Sequence, residues 1–366
     1  MSTTEKAPPQ PFASDKIYGH MDRVQEWLAT GDSRPVTYEL DLTNICNQEC
    51  PHCFGYYPEL GQDRMHLDEA KRIIAQIKDF GGRGLTFTGG GDPLASPIAM
   101  EAVPFARGLG LDLGFITNGQ ALTEAKSRVL LANCQWIRVS IDAATPAVFK
   151  LTHGMGEKEF RQVLGNVREL ARLKKETGSG CTVGIGFLTS AETKDDIYRF
   201  AELGRELGVD YAQYRPLLRR HGEPDVDYSD ESILDQMRRA SALSTEGYRV
   251  VCSEHKYKLI QRGEIDRSYK KCYGQNFAAV VSADKKMYVC CHMRGVPKYE
   301  LGDLSKQSLP ELWNSAKRKQ VAESVDFNDC PPLCRCDSFN SILWDIKEKG
   351  ASSEPSAEKK EHPNFI

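Results

Sequence analysis

Cys46-Asn47-Gln48-Glu49-Cys50-Pro51-His52-Cys53-Phe54 sets three cysteines within eight residues, at the spacing C-x3-C-x2-C. The run before it, Val36-Thr37-Tyr38-Glu39-Leu40-Asp41-Leu42, alternates apolar and polar like a strand, so the cysteines fall on the loop leaving its carboxyl end. Three thiolates on one short loop can hold three corners of an iron–sulfur cubane. They leave the fourth iron without a protein ligand, open to bind and activate something. The competing reading is zinc. A structural zinc site wants four ligands, and His52, which could be the fourth, sits between two of the cysteines and would strain a tetrahedron.

Outward from this loop, helical and strand patterns alternate. A helix is expected over 21–30 before the first strand. Leu67–Phe80 has apolar residues at helical spacing, Leu85–Thr88 reads as a strand running into Gly89-Gly90-Gly91-Asp92-Pro93, and Ala99–Leu109 as a helix. Strands are expected at Leu111–Thr117, Trp136–Ile141, Thr182–Leu188 and Tyr211–Tyr214, with helices at Ala121–Ala132, Glu157–Thr177 and Thr193–Leu207. Six strand–helix repeats with short connections imply a parallel sheet with right-handed crossovers. Periodicity does not choose between an open sheet and a partial barrel. In either, ligands gather at the carboxyl ends of the strands, where the glycine-rich and polar tips of this sequence lie.

After a helix at Glu231–Leu243 the texture changes. Phe277–Ser282 and Met287–Cys291 read as a hairpin, Leu309–Ser324 as one helix, and Ser341–Lys347 as a last helix. The expected organisation is a disordered tail over 1–15, a first domain over 16–235, a second over 236–348, and a disordered charged tail over 349–366. With 48 Lys+Arg against 51 Asp+Glu the chain has a formal charge of −3 and no basic stripe, which argues against a nucleic-acid partner. No apolar run reaches the ~20 residues of a membrane span, and the N-terminus lacks a signal-peptide core, so a cytoplasmic protein is expected. The twelve cysteines cluster at 46–53, 272–291 and 330–336, pointing to metal rather than disulfides, while Cys134 and Cys181 read as buried small hydrophobes.

The first loop resembles the defining motif of the radical SAM superfamily, C-x3-C-x2-C followed by an aromatic, matched by Cys46, Cys50, Cys53 and Phe54. The resemblance implies an α/β fold, a (β/α)6 partial barrel. It also implies a 4Fe–4S cluster whose fourth iron chelates S-adenosylmethionine, and reductive cleavage of that cofactor to a 5′-deoxyadenosyl radical. Gly90-Gly91-Asp92-Pro93 occupies the place of the family's GGEP motif, whose backbone meets the methionine amino group, with Asp for Glu and an additional Gly89. Glycine suits a close backbone approach that tolerates no Cβ.

Asn118 in Thr117-Asn118-Gly119, and Ser140 and Asp142, end the next strands, where relatives line the ribose and the substrate; helix capping explains such residues equally. Gly184 and Gly186 interrupt the fifth strand, where the family brings backbone near the cofactor; a bulge would serve as well. Arg215 ends the sixth strand and could meet an anionic substrate or the methionine carboxylate, or pair with a surface acid.

Cys272-x17-Cys290, with Cys291 adjacent, and Cys330-x3-Cys334-x1-Cys336 resemble the C-terminal SPASM or twitch domain of radical SAM enzymes, a small α+β unit. That implies one auxiliary 4Fe–4S cluster, held by Cys272, Cys290 and two of Cys330, Cys334 and Cys336, with zinc as the alternative. Of the surplus thiols, Cys252, Cys291 or the unused member of the last trio could donate a hydrogen atom to a substrate radical. The expected partners are a small-molecule substrate and an external one-electron reductant such as flavodoxin or ferredoxin. The expected reaction is oxidation, epimerisation or decarboxylation of a sugar-like or aminocyclitol natural-product intermediate. Peptide or protein maturation is the alternative within catalysis, and a non-catalytic iron–sulfur electron-transfer protein the alternative outside it. The short region ahead of the cysteine loop favours the small molecule over a peptide bound through a leader.

Overall fold

The computed structural model describes residues 14–53, 61–217, 226–252, 254–262, 267–331, 333–351 and 360–366. The alternating pattern forms α1 (Met21–Thr30), β1 (Thr37–Asp41), α2 (Leu67–Asp79), β2 (Gly84–Thr88), α3 (Ala99–Gly108), β3 (Asp112–Thr117) and α4 (Glu124–Asn133). It continues through β4 (Trp136–Ser140), α5 (Pro146–His153), α6 (Glu157–Thr177), β5 (Thr182–Thr189), α7 (Ile197–Leu207) and β6 (Tyr211–Pro216). Strands β1 to β6 lie side by side in chain order and pair in parallel, giving the expected partial barrel. Local sequence suffices for such helices as α2. Ala70, Ile73, Ile74 and Ile77 form one buried stripe, and the His66 amide donates to Glu69 Oε2 at 2.8 Å, closing the first turn. The periodicity does not predict α5, although Thr145 caps it and Pro146 opens it in the usual way.

The second half adds α8 (Glu231–Ser241), β7 (Arg249–Val251), α9 (Glu254–Arg262), β8 (Ala278–Val281), β9 (Lys286–Tyr288), β10 (Glu300–Asp303), α10 (Leu309–Trp313), α11 (Ala316–Glu323) and α12 (Asp337–Lys349). The expected hairpin is β8–β9, but it is not confined to a separate body. β8 pairs in parallel with β1, from Thr37↔Ala278 to Leu40↔Val281, and one sheet runs β10-β9-β8-β1-β2-β3-β4-β5-β6-β7. The expected boundary at 235/236 thus falls within α8, between two strands, β6 and β7, of one continuous sheet. The reason is the edge: an uncovered β1 would present a row of unpaired backbone groups, and alternation within a hairpin does not encode which edge it meets.

Two further expectations are corrected. The single helix over 309–324 is two, because the Ser315 side chain accepts from the Arg318 amide at 3.1 Å and starts a new helix. The tail over 349–366 is not disordered at 360–366. There it crosses the amino ends of the strands, with Thr37 Oγ1 donating to Asn364 O at 2.7 Å and Asn364 Nδ2 to Asp112 Oδ2 at 2.6 Å. Phe365 stands edge-on to Trp136 with ring centroids 5.4 Å apart, and Arg249 pairs with Glu361 at 2.7 Å. A polar composition reads as disorder only until each polar group finds its partner in the fold. No helix among the described residues is long and apolar enough to cross a membrane.

Candidate active site

A cavity of about 250 Å³ opens at the carboxyl ends of the strands. Cys46, Cys50 and Cys53 line it from one side, and Gly89, Gly90, Gly91 and Asp92 from another, with Asn118, Ser140, Asp142 and Arg215 completing the wall. The glycine loop is tied to the cysteine loop backbone to backbone. Gly91 N donates to Thr43 O at 3.0 Å and Asp92 N to Ile45 O at 3.1 Å. A Cβ on Gly91 would stand 2.1 Å from the Ile45 carbonyl oxygen, so the cysteine loop itself demands glycine there.

The Asp92 side chain is turned into the fold. Its carboxylate accepts from Leu94 N at 2.8 Å, from Thr117 Oγ1 at 2.8 and 3.0 Å and from Asn118 N at 2.6 Å, locking the end of β2 to that of β3. Asn118 is likewise engaged: Nδ2 donates to Asn47 Oδ1 at 2.7 Å and to Cys46 Sγ at 3.5 Å. Asp142 takes a left-handed φ of 49°, accepts from Leu188 N at 2.6 Å, and is pushed up to about 6 by burial, against the pull of Arg215 and Arg138. His153 Nε2 lies 3.9 Å from Asp142, with its ring stacked on Phe149; burial lowers it to about 3. Gly184 marks no bulge, because β5 pairs continuously on both sides; a Cβ there would stand 2.2 Å from the Tyr211 ring. Phe54 lies outside the described residues.

A second cavity is lined by Cys272, Cys290, Cys330, Cys334 and Cys336, with Val289 and Met293. Burial raises these thiols, and for all but Cys330 neighbouring thiols add to it; Cys272 is pushed up to about 11 and Cys334 to about 12. Bound metal would invert that logic, since a coordinating thiol is deprotonated outright. Among the described residues no three His, Cys, Asp or Glu side chains are gathered closely enough for a single metal ion. What the fold offers is a wider ring of sulfurs.

The family model described as the radical SAM superfamily matches residues 40–204, and that of an iron-sulfur cluster-binding domain, SPASM, matches residues 272–337. The chain belongs to the radical SAM superfamily. It is a radical SAM enzyme with a C-terminal SPASM domain, and its cofactors are a 4Fe–4S cluster, S-adenosylmethionine and auxiliary iron–sulfur. The PqqA peptide cyclase of Gluconobacter oxydans is 26% identical over 317 residues, which are 83% of this chain and 82% of that protein. Streptococcus suis SuiB bound to precursor peptide SuiA superposes with a TM-score of 0.65 at 14% identity, over 99% of this chain and 83% of that one. A structure of anSMEcpe with bound AdoMet gives a TM-score of 0.58 at 17% identity, over 87% and 96% of the two chains.

The donor sets of this radical SAM enzyme fit the groups its family carries. Three thiols open on a roomy cavity beside exposed backbone, and five more surround a buried one. The structure does not bring Cys252 or Cys291 to the first cavity. Cys252 packs near Tyr214, Tyr248 and Tyr257, behind β6, because the strand places Tyr214 on its outer face. Cys291 lies near Arg294, whose Nη1 donates to its carbonyl at 3.4 Å.

Sequence reasoning missed what joins the two cavities. Glu39 and Asp41, alternate residues of β1, meet Arg294 at 3.0 and 2.5 Å, and Glu39 also meets Arg335. All four lie between the barrel and the SPASM domain. Two acids at alternate positions of a buried strand were the available signal.

Proposed function

We propose that this radical SAM enzyme modifies a peptide, with Cys46, Cys50 and Cys53 holding the cluster that binds S-adenosylmethionine. Cys272, Cys290 and two of Cys330, Cys334 and Cys336 hold the auxiliary cluster. The observation that carries the peptide reading is the relative spanning 83% of the chain, named a PqqA peptide cyclase. The sugar-like or aminocyclitol substrate expected from sequence is set aside, because none of the relatives described above points to it. The argument from a short N-terminal region also fails. An anSMEcpe structure with bound AdoMet and Cp18Cys peptide is covered over 97% of its own length by this chain, at a TM-score of 0.55.

When bound, the cluster and cofactor supply one-electron cleavage of the sulfonium and hence removal of hydrogen from an unactivated C–H bond. The chain's own residues shape where this happens. Asp92, through Thr117 and Asn118, fixes the tips of β2 and β3 against the cysteine loop. Asn118 gives Cys46 a hydrogen bond that stabilises negative charge on its sulfur. Trp136 and Phe365 pack edge to face at the amino ends of the strands, opposite the end where the cavity opens. Asp142, held near 6, can accept or release a proton beside the substrate at neutral pH. An external flavodoxin or ferredoxin serves as the reductant.

Deoxyadenosine formation by the reconstituted enzyme tests the reading. We expect stimulation by peptides and none by aminosugars or cyclitols; the reverse pattern returns the small molecule as substrate. No deoxyadenosine under any condition leaves only an electron carrier.

A further inference from the structure

We infer that Arg138 on β4 and Arg215 on β6 form a receptor inside the barrel for a carboxylate of the substrate, in a peptide an acidic side chain. This rests on the strand-end cavity being where substrate reacts, and not on that substrate being a peptide.

The two arginines stand on either side of β5. Register places Arg138 opposite Gly184 and Arg215 opposite Leu188, so Gly186 lies between their levels. A Cβ on Gly186 would stand 3.4 Å from Arg138 Cδ and 3.7 Å from Arg215 Nη2. The missing side chain thus leaves a gap that both side chains flank. This gives Gly186 a reason other than backbone approach to the cofactor.

Neither cation sits in an ion pair among the described residues. Among the described residues Arg138 donates one side-chain hydrogen bond, Nη1 to Gln213 Oε1 at 3.0 Å, and Arg215 makes no ion pair. The Nε of each is buried with no partner. Asp142 is the carboxylate whose charge acts on both, and its Oδ1 is taken by the Leu188 amide at 2.6 Å while Oδ2 faces His153. Two guanidinium groups against one acid leave an uncompensated positive charge inside the barrel. Burial first, and then the charge of Arg215, lower Arg138 to about 9. An arriving carboxylate removes the repulsion and fills donors that nothing else fills. Planar guanidinium forks match its two oxygens.

The methionine carboxylate of the cofactor is the competing anion, and depth separates the two. Arg215 lines the upper cavity with the cysteines; Arg138 does not, standing two residues before Ser140 and deeper in the barrel. A carboxylate that meets both guanidinium groups therefore lies below the level of the cysteine loop.

The test is calorimetric titration of glutarate, with neutral glutaramide as control, into the reconstituted enzyme saturated with S-adenosylmethionine. We expect saturable binding of glutarate alone, weakened about tenfold or more in Arg138→Met and in Arg215→Met, and largely restored in Arg138→Lys. Affinity for S-adenosylmethionine should be unchanged in Arg138→Met. Its apo form should melt no lower than wild type, since a repulsion has been removed. The inference is overturned if glutarate and glutaramide bind alike or glutarate does not bind. It is also overturned if the variants lose cofactor affinity while keeping glutarate, or if Arg138→Met melts distinctly lower, which makes the arginine a structural tie. Because the titration needs no turnover, its failure is separate from failure of the peptide reading, which the deoxyadenosine assay decides.

Discussion

The two cysteine-rich regions of this enzyme follow opposite plans. At 46–53 three thiols share one short loop, Cys46 and Cys53 are exposed, and the space before them is shared with glycine backbone, Asn118, Asp142 and Arg215. At 272–336 five thiols arrive from three separate places in the chain, and among the described residues the cavity they surround holds only Gln275 and His292 as further polar side chains. The first region supplies fewer sulfurs than a cubane has irons and leaves room for a reactant. The second supplies more and leaves little. An under-ligated centre can bind and activate, whereas a fully ligated one can only store charge, relay it or shape its surroundings.

The sharpest way to break this contrast is to remove the first region alone. A Cys46/Cys50/Cys53→Ala triple variant should lose all cleavage of S-adenosylmethionine, yet keep about four irons and a reduced-cluster EPR signal from the second region. If all iron goes and zinc remains, the second region is structural only.

The next largest effect concerns the join. Arg294 faces Glu39 and Asp41 at 5% exposure, and Arg294→Met leaves two carboxylates buried together. We expect about 3–5 kcal/mol of lost stability in urea unfolding. A loss below about 1 kcal/mol would show that β8–β1 pairing, not the ion cluster, holds the regions together.

Asp142 gives a pH signature confined to the first region. Its folded value of about 6 lies above the ordinary 3.8, so the folded state holds the proton more tightly. The stability this contributes is complete below about pH 4 and is lost as pH rises through 6. The difference in unfolding free energy between wild type and Asp142→Asn should therefore move by about 2 kcal/mol in favour of the variant between pH 4 and 6.5. A pH-independent difference would put Asp142 in an ordinary solvated setting. His153 beside it titrates in the opposite sense, present alike in both proteins, and drops out of the difference.

The smallest effect is also the most selective. Asn118→Leu removes the N–H bond to Cys46 sulfur and should lower the first cluster's potential by tens of millivolts while the auxiliary potential stays put. Equal shifts in both would mean the substitution disturbs the fold rather than the sulfur.

The sequence by itself determined the family and much of the barrel. Spacing in C-x3-C-x2-C is a property of neighbouring residues, and so are the apolar stripe of α2 and the alternation of the strands. Local chemistry also decided that Cys134 and Cys181 are buried, at 6% and 3% exposure. Only the tertiary structure decided the rest. Glu39 and Arg335 are almost three hundred positions apart, and nothing near either one announces the other. Asp92 was legible as a site residue but not as one whose oxygens are consumed by Thr117, Asn118 and Leu94. Arg138 lies inside the expected strand at 136–141 with nothing beside it in sequence to mark it; β5 supplies Gly186 and β6 supplies Arg215 only in the fold. The tail at 360–366 looked disordered because its partners lie at the amino ends of strands far upstream. Periodicity records which way a side chain faces; which charge, sulfur or empty space it faces is fixed only when distant segments close on one another.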